Sequence, residues 1–198
     1  MRPHISVCIP VYQGAPTLAA TLRSVLASEN ADFEVVIRDN GSTDGTSGVV
    51  AGFDDPRIRY IRSEGTLPLP ANWRATVGQA RGELIKVLCA DDLISPDCLA
   101  SQAALLKDPT VALVACRRNF IDGNGDVLNR NAGLPGLLGR HGVSEVARKA
   151  VRFGINPVGE PACVMFRRRD YDAIGGFDGA IVFAMDIDAW LRILTRGD

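Results

Sequence analysis

The sequence is poor in the residues that usually announce a function. Only two of its 198 residues are histidine, and 6% are aromatic. His4 and His141 stand far apart and fit no metal-ligand spacing, which removes a histidine-built zinc site. The five cysteines, at 8, 89, 98, 116 and 163, form no C-x-x-C pair and are odd in number. Four of them lie in or near apolar runs, so they read as buried reduced thiols rather than a disulfide framework. Neither charge dominates: 22 basic against 23 acidic residues give a net charge of -1, which leaves no basic field for nucleic acid. No apolar run approaches the ~20 residues that cross a bilayer. Met1-Arg2-Pro3-His4 enters the first strand pattern without a signal-peptide core. The expected compartment is therefore the cytoplasm, with room for a peripheral position at the inner face of the membrane. No G-x-G-x-x-G follows the first apolar run, which argues against a dinucleotide dehydrogenase. Internal repeats and low-complexity tracts are also absent.

What is present is an ordinary globular composition, 46% hydrophobic and 23% charged. The length suits one domain with a sizeable core, or one large and one small lobe. Over the first 120 residues apolar strand runs alternate with helical patterns, which predicts an α/β fold with a mostly parallel sheet. The strand runs cover 5–9, 33–38, 58–62, 84–89 and 111–116. Helical patterns cover 16–28, 47–53, 71–80 and 95–107, with Pro16 in the first turn of one and Ser95-Pro96 as cap and first turn of another. Beyond 120 the pattern loosens. Asp122-Gly123-Asn124-Gly125-Asp126 predicts a hairpin turn. The stretch 130–142, with four glycines and Pro135, predicts a mobile loop. A helix over 144–153, a strand over 163–166 and a last helix over 186–196 complete the reading.

Three acidic groups fall where chemistry is expected. Two apolar runs end at one rim, in Pro10-Val11-Tyr12 and in Asp39-Asn40-Gly41-Ser42-Thr43-Asp44, and ligands of open α/β sheets bind at that rim. Asp91-Asp92 follow the fourth strand and reach the same rim. Carboxylates there suit a hard divalent cation, although two acids before a helix are also stabilised by its dipole. The 39–44 loop is equally a set of turn formers. Asp186 opens the last helix, where an N-cap role is the plain alternative. Asp188 and Arg192, four apart, can pair on the surface, whereas Asp186 has no such partner and is freer to face a cleft. Two other motifs fail. Asp122-x-Asn124-x-Asp126 begins like a calcium loop but has Val127 at position six and Gly133 at position twelve. Arg167-Arg168-Arg169 reads as a solvated basic face rather than a phosphate grip.

Four blocks, in order, resemble the family-2 inverting glycosyltransferases. They are Val7-Cys8-Ile9-Pro10-Val11-Tyr12; Val36-Ile37-Arg38-Asp39-Asn40-Gly41-Ser42-Thr43-Asp44-Gly45-Thr46; Ala80-Arg81-Gly82-Glu83-Leu84-Ile85 with Cys89-Ala90-Asp91-Asp92; and Gly175-Gly176-Phe177-Asp178 with Asp186-Ile187-Asp188-Ala189-Trp190-Leu191-Arg192. The resemblance implies the nucleotide-diphospho-sugar transferase fold: a Rossmann-like sheet flanked by helices, with a smaller mixed C-terminal part. It implies one domain over 1–198, a nucleotide-sugar half at 1–120 and an acceptor and catalytic-base half at 121–198 that is incomplete at its C-terminal end. Pro10, Val11 and Tyr12 are expected to lie along the nucleobase, Asp39 and Asn40 to contact a uracil, and Asp91 to contact the ribose or diphosphate. Asp92 is expected to hold Mg²⁺ or Mn²⁺, and Asp186 to act as general base. The implied donor is a nucleoside diphosphate sugar, a UDP-sugar first. The implied acceptor is a hydroxyl on a saccharide, a lipid-linked or another molecule, in the synthesis of a cell-surface polysaccharide or glycoconjugate.

The chain departs from the pattern at four places. Asn40 replaces a frequent aspartate, Cys89 a first aspartate and Met185 a glutamate, and the Q-x-x-R-W motif of processive members is absent. A non-catalytic nucleotide-sugar-binding module is the alternative reading. A sugar nucleotidyltransferase is disfavoured, because the loop after the first strand has only Gly14 and no basic residue before Arg23.

Overall fold

The computed structural model describes residues 3–197. The elements run β1 (Ile5–Val11), α1 (Leu18–Leu26), β2 (Phe33–Asp39), α2 (Thr46–Ala51), β3 (Ile58–Arg62), α3 (Leu69–Gly78), β4 (Leu84–Val87) and α4 (Cys98–Leu105). There follow β5 (Leu113–Ala115), β6 (Arg118–Ile121), β7 (Val127–Ala132), α5 (Val143–Phe153), β8 (Val164–Arg167), α6 (Arg168–Ala173) and α7 (Met185–Leu194). Six strands form one sheet in the order β3-β2-β1-β4-β8-β5, and β6 and β7 form a separate hairpin.

The continuous apolar runs of β1 and β4 are buried along their whole length, as strands covered on both faces must be. β1 pairs in parallel with β2 on one side and with β4 on the other, and β3 extends β2 in parallel. The chain leaves β1 to build one side of the sheet and returns across it to build the other. The order therefore reverses between β1 and β4, and a crevice opens where that happens. β4 is in register with β1 only as far as Cys8↔Val87, while β2 continues to Asp39, so the crevice lies beyond Cys8.

Alternation predicted β5 as the next parallel neighbour of β4. Instead β8 lies between them, antiparallel to both. A strand from the expected acceptor half is thus built into the sheet of the expected nucleotide half. The stretch 130–142 is also less free than its glycines suggest: β7 runs to Ala132, and Leu134 and Leu137 are buried in the core. The hairpin turn is present, with the backbone N–H of Asp122 bonded to the Asp126 carbonyl at 2.9 Å.

The basic triplet is not a solvated face. The Arg167 guanidinium donates to the carbonyls of Leu106, Asp108 and Val111, which end α4 and the turn after it. Arg168 donates to the Ala80 carbonyl. Helix ends leave carbonyls without intrahelical partners, and these cations supply donors. Only Arg169 is mainly exposed.

Two apolar layers enclose the sheet. On one face lie Leu18, Leu22, Val25, Leu99 and Met165. On the other, Trp73, Phe166, Tyr171, Phe177 and Trp190 form a ring cluster with centroids 5.3–6.0 Å apart. Trp190 is fully buried on α7, so the cluster fixes that helix against the sheet, and with it Asp186 in its first turn. Trp190→Ala is expected to cost about 3–5 kcal/mol, the range for an emptied aromatic core site, as read by denaturant unfolding.

Candidate active site

The first wall of the crevice is made by two loops laced together. The Gln13 backbone N–H donates to the Ser42 hydroxyl (2.9 Å), and its side-chain amide exchanges bonds with Thr43 (3.2 and 2.9 Å). The Gly14 N–H donates to the Thr46 hydroxyl (3.0 Å) and the Ala15 N–H to Asp44 (2.9 Å). The Asn40 N–H donates to the Val11 carbonyl at 2.8 Å. The turn-forming residues read from the sequence are therefore a fastening between the ends of β1 and β2. Gln13 takes part with a φ of 54°, a left-handed conformation that such contacts must stabilise.

Behind this wall Asp39 is fully buried. One carboxylate oxygen accepts from the Ser42 backbone N–H (2.8 Å), the other from the Tyr60 hydroxyl (2.5 Å), with the Arg62 guanidinium 3.8 Å away. Burial pushes the Asp39 carboxyl up, but the bonds from Ser42 and Tyr60 outweigh it and hold the group below the usual carboxylate range. The Tyr60 phenol is pushed up to about 12 by burial and by the adjacent carboxylate. Asn40 is buried too, its amide clamped on Leu67: it accepts from the Leu67 N–H (2.8 Å) and donates to the Leu67 carbonyl (2.9 Å). The side chains expected to face a uracil are thus occupied in holding loops. Pro10 and Val11 are buried, whereas the Tyr12 side chain is exposed at the rim.

The opposite wall follows β4. The Thr21 hydroxyl on α1 donates to the Ala90 carbonyl (2.9 Å), tying this turn to the first helix. The Cys89 thiol and one oxygen each of Asp91 and Asp92 all lie within 4.8 Å of one another. Burial, followed by the charges of Asp91 and Glu160, pushes the Asp92 carboxyl up to about 6, even though the buried Lys86 ammonium pulls the other way. Burial and the neighbouring carboxylates, Asp186 among them, push the Cys89 thiol up, so it stays protonated at neutral pH. Two crowded carboxylates at a strand end fit Mg²⁺ or Mn²⁺, and a protonated thiol adds little to such a hard ion. Glu160 pairs with Arg118 (2.5 Å) across a cleft of about 460 Å³ that also borders Asp91 and Asp92.

Asp186 is half-buried in the first turn of α7. Among the described residues it has no ion-pair partner on its helix, as read, but Asn156 donates from Nδ2 to its Oδ2 at 2.8 Å. Asn156 is itself held by Gly159, whose carbonyl also accepts the buried Trp190 indole N–H (3.1 Å). A separation of 30 residues hid this contact. Glu160, Gln13 and Tyr60 were likewise missed. The expected Asp188–Arg192 pair is present at 2.5 Å, and Arg192 also donates to the carbonyls of Ile174 and Gly176.

A cavity of about 530 Å³ lies elsewhere, at the N-terminal end of β4 among Arg81, Leu84, Lys107 and Arg167–Arg169. It contains none of the rim acids.

A mostly parallel sheet with laced strand-end loops on one side and a paired-acid turn on the other defines a nucleotide-diphospho-sugar transferase fold. The profile described as glycosyl transferase family 2 matches residues 6–175, and the chain belongs to that family. It is similar to an uncharacterized protein of Mycobacterium tuberculosis, 34% identical over 98% of this chain and 63% of that protein. In structure it is similar to S. aureus TarS in complex with UDP-GlcNAc (TM-score 0.78, 17% identity, 98% of this chain and 54% of that one). It is also similar to a mannosyltransferase from Pyrobaculum calidifontis in complex with GDP-Man and Mn²⁺ (TM-score 0.64, 22% identity, 90% and 48%). The chain thus spans about half to two thirds of the length of these proteins. Among the described residues no helix is long and apolar enough to cross a membrane.

The Asp39 environment predicts an acid-limb signature. A carboxyl depressed on folding contributes stability that is present above its ordinary value, about 4, and is lost as pH falls through the lowered one. Asp39→Asn should lower the melting temperature most near neutral pH. The gap to wild type should narrow below about pH 4 in thermal melts run across buffers.

Proposed function

We propose that the chain transfers a sugar from a nucleoside diphosphate donor, a UDP-sugar first, to an acceptor hydroxyl with inversion. The observation that carries this reading is the convergence at one crevice of a paired-acid cation site, Asp91 and Asp92, with Asp186 from a segment almost 100 residues later. Asp186 is bonded by Asn156, which is bonded in turn to Gly159, and the next residue, Glu160, lines the same cleft as Asp91 and Asp92. Family membership and the nucleotide-sugar complexes of the two structural neighbours support the same class.

In this proposal the Pro10–Tyr12 segment forms the base wall, and Asp39 and Asn40 shape it from behind through the loops they hold. Asp91 faces the ribose or diphosphate, and Asp92 holds Mg²⁺ or Mn²⁺. When bound, such a cation supplies Lewis-acid neutralisation of the departing diphosphate. Asp186 takes the proton from the attacking hydroxyl as general base, and Asn156 fixes its Oδ2 so that the carboxylate cannot rotate away. The anomeric carbon passes through an oxocarbenium-like state and is attacked directly, so no side chain is needed as nucleophile. The acceptor approaches Asp186 from the side of the cleft that Glu160 and Arg118 line. It is a saccharide or lipid-linked hydroxyl, consistent with polysaccharide or glycoconjugate synthesis. Cys89 in place of a carboxylate favours a second reading, a module that binds the nucleotide sugar without transferring it. Absence of both donor hydrolysis and transfer in saturating Mn²⁺ would select that reading.

Asp186→Asn should lower turnover by about 10²–10⁴ while leaving donor affinity intact. Unchanged turnover would remove the base assignment. Asp92→Ala should abolish the strengthening of UDP binding by Mn²⁺ in titration calorimetry, and surviving metal dependence would contradict its role. A thermal-shift panel of UDP, GDP, CDP and dTDP with and without Mn²⁺ identifies the base, since a ligand of the folded state raises the melting temperature.

A further inference from the structure

The edge of the molecule beside Asp186 carries apolar side chains that nothing covers among the described residues. α5 turns Val146 inward, and its outer face bears Ser144, Arg148, Val151 and Arg152. Val151 is 85% exposed and Phe153 56%. Ile155 continues the strip just past the helix end, where Gly154 turns the chain with a φ of 61°. A second exposed segment leads into α7: residues 179–184 carry no charge, and Ile181, Val182 and Phe183 all project outward, Phe183 completely. Ile155 adjoins Asn156, and Phe183 is three residues before Asp186. The Asn156–Asp186 bond therefore brings the two apolar segments to the same edge.

Six exposed apolar side chains at one edge form a patch of the kind that marks an interaction site. Its basic companions decide between partners. Arg148 and Arg152 are exposed on α5 between the apolar positions, and Lys149 lies on the same helix. The acid of this helix, Glu145, is engaged with His141 at 2.8 Å. On α5 the exposed Val151 stands among Arg148 and Arg152, with Phe153 and Ile155 at the helix end. Apolar groups beside cations are complementary to an anionic lipid surface, where acyl chains accept the apolar groups and headgroups pair with the cations.

We propose that this edge, formed by α5, Ile155 and the 181–183 segment, docks the protein onto anionic phospholipid and holds the mouth of the Asp186 crevice against the bilayer. The proposal is independent of sugar transfer. It requires only that the folded chain bind lipid, and it can be tested without donor or acceptor.

The test is co-sedimentation of the purified protein with vesicles of phosphatidylcholine alone and of phosphatidylcholine mixed with phosphatidylglycerol. Binding is expected to the mixed vesicles and to fall as salt rises. Arg148→Glu with Arg152→Glu should weaken the partition by at least about twenty-fivefold, since each basic residue near an anionic surface contributes about fivefold. Phe183→Glu should weaken it by a similar or larger factor. Both variants alter exposed positions, and unchanged melting temperatures would show that they remain folded. Leu105→Glu, an exposed apolar position on α4, should bind as wild type. Failure to bind the mixed vesicles, equal binding to both kinds, insensitivity to Phe183→Glu, or pelleting without vesicles through self-association of the patch would each overturn the proposal.

Discussion

The crevice depends on one buried carboxylate. Asp39 ends β2 at the point where the chain must stop pairing with β1 and turn across its end, and burying a charge there is costly unless every lone pair is used. Two hydrogen bonds and one nearby cation answer it: Ser42 within its own loop, Tyr60 from β3, and the Arg62 guanidinium at the rim. The charge therefore ties the edge strand, the 40–46 loop and the end of β2 into one unit. Through Ser42 the unit reaches Gln13, and through Gln13 the loop after β1. Without this knot the two loops would be separate turns with a left-handed Gln13 between them and nothing to hold it. This wall of the crevice is thus held because the cost of burying the charge is offset by a hydrogen bond to each carboxylate oxygen and a nearby guanidinium.

Much of this was legible in the sequence where period and turn chemistry act locally. β3 begins and ends at the residues read from its pattern, and the Asp122–Asp126 turn closes its hairpin as read. Local signals misled where a side chain had a nearer choice. Ser95 was read as a helix cap, but its hydroxyl turns to the Asp97 carboxylate (2.6 Å) and α4 starts only at Cys98. Arg167 and Arg168 looked like surface cations because the carbonyls they satisfy are about 60 to 90 residues away in sequence. The α6 helix between them and Gly175 was not foreseen either. Insertion of β8 between β4 and β5 was invisible for a related reason. An apolar run specifies a strand, whereas its neighbours are chosen by the packing of the whole chain.

The site shows the same division. Sequence could place Asp39, Asp91, Asp92 and Asp186 at element ends, because strand ends and helix starts are local features. It could not show that Asp39 and Asn40 look inward while Tyr12 looks out, since all are compatible with a strand-end loop. Nor could it show Asn156, whose bond to Asp186 follows from the aromatic cluster that presses α7 onto the sheet and from the Gly159 carbonyl shared with Trp190. The position of a carboxylate at the crevice is in this sense a product of core packing: the rings set the helix, the helix sets Asp186, and a core-anchored loop sets its angle.

Cys89 shows how the remaining electrostatics balance. Burial, followed by the charges of Asp91 and Glu160, pushes the Asp92 carboxyl up to about 6, against the hydrogen bond with the Cys89 thiol and the Lys86 ammonium behind it, while Arg118 is committed to Glu160. A third carboxylate at position 89 would add a like charge within 4.8 Å of both acids and raise the cost of the cation-free state further. A buried thiol fills the position without charge. In the proposed reaction the exchange would give up one hard ligand, so a cation held here would rest on fewer protein oxygens and rely more on water and on the donor's phosphates. Cation and donor should then bind as a coupled pair, each weak alone, because the ligand set is completed only when both are present.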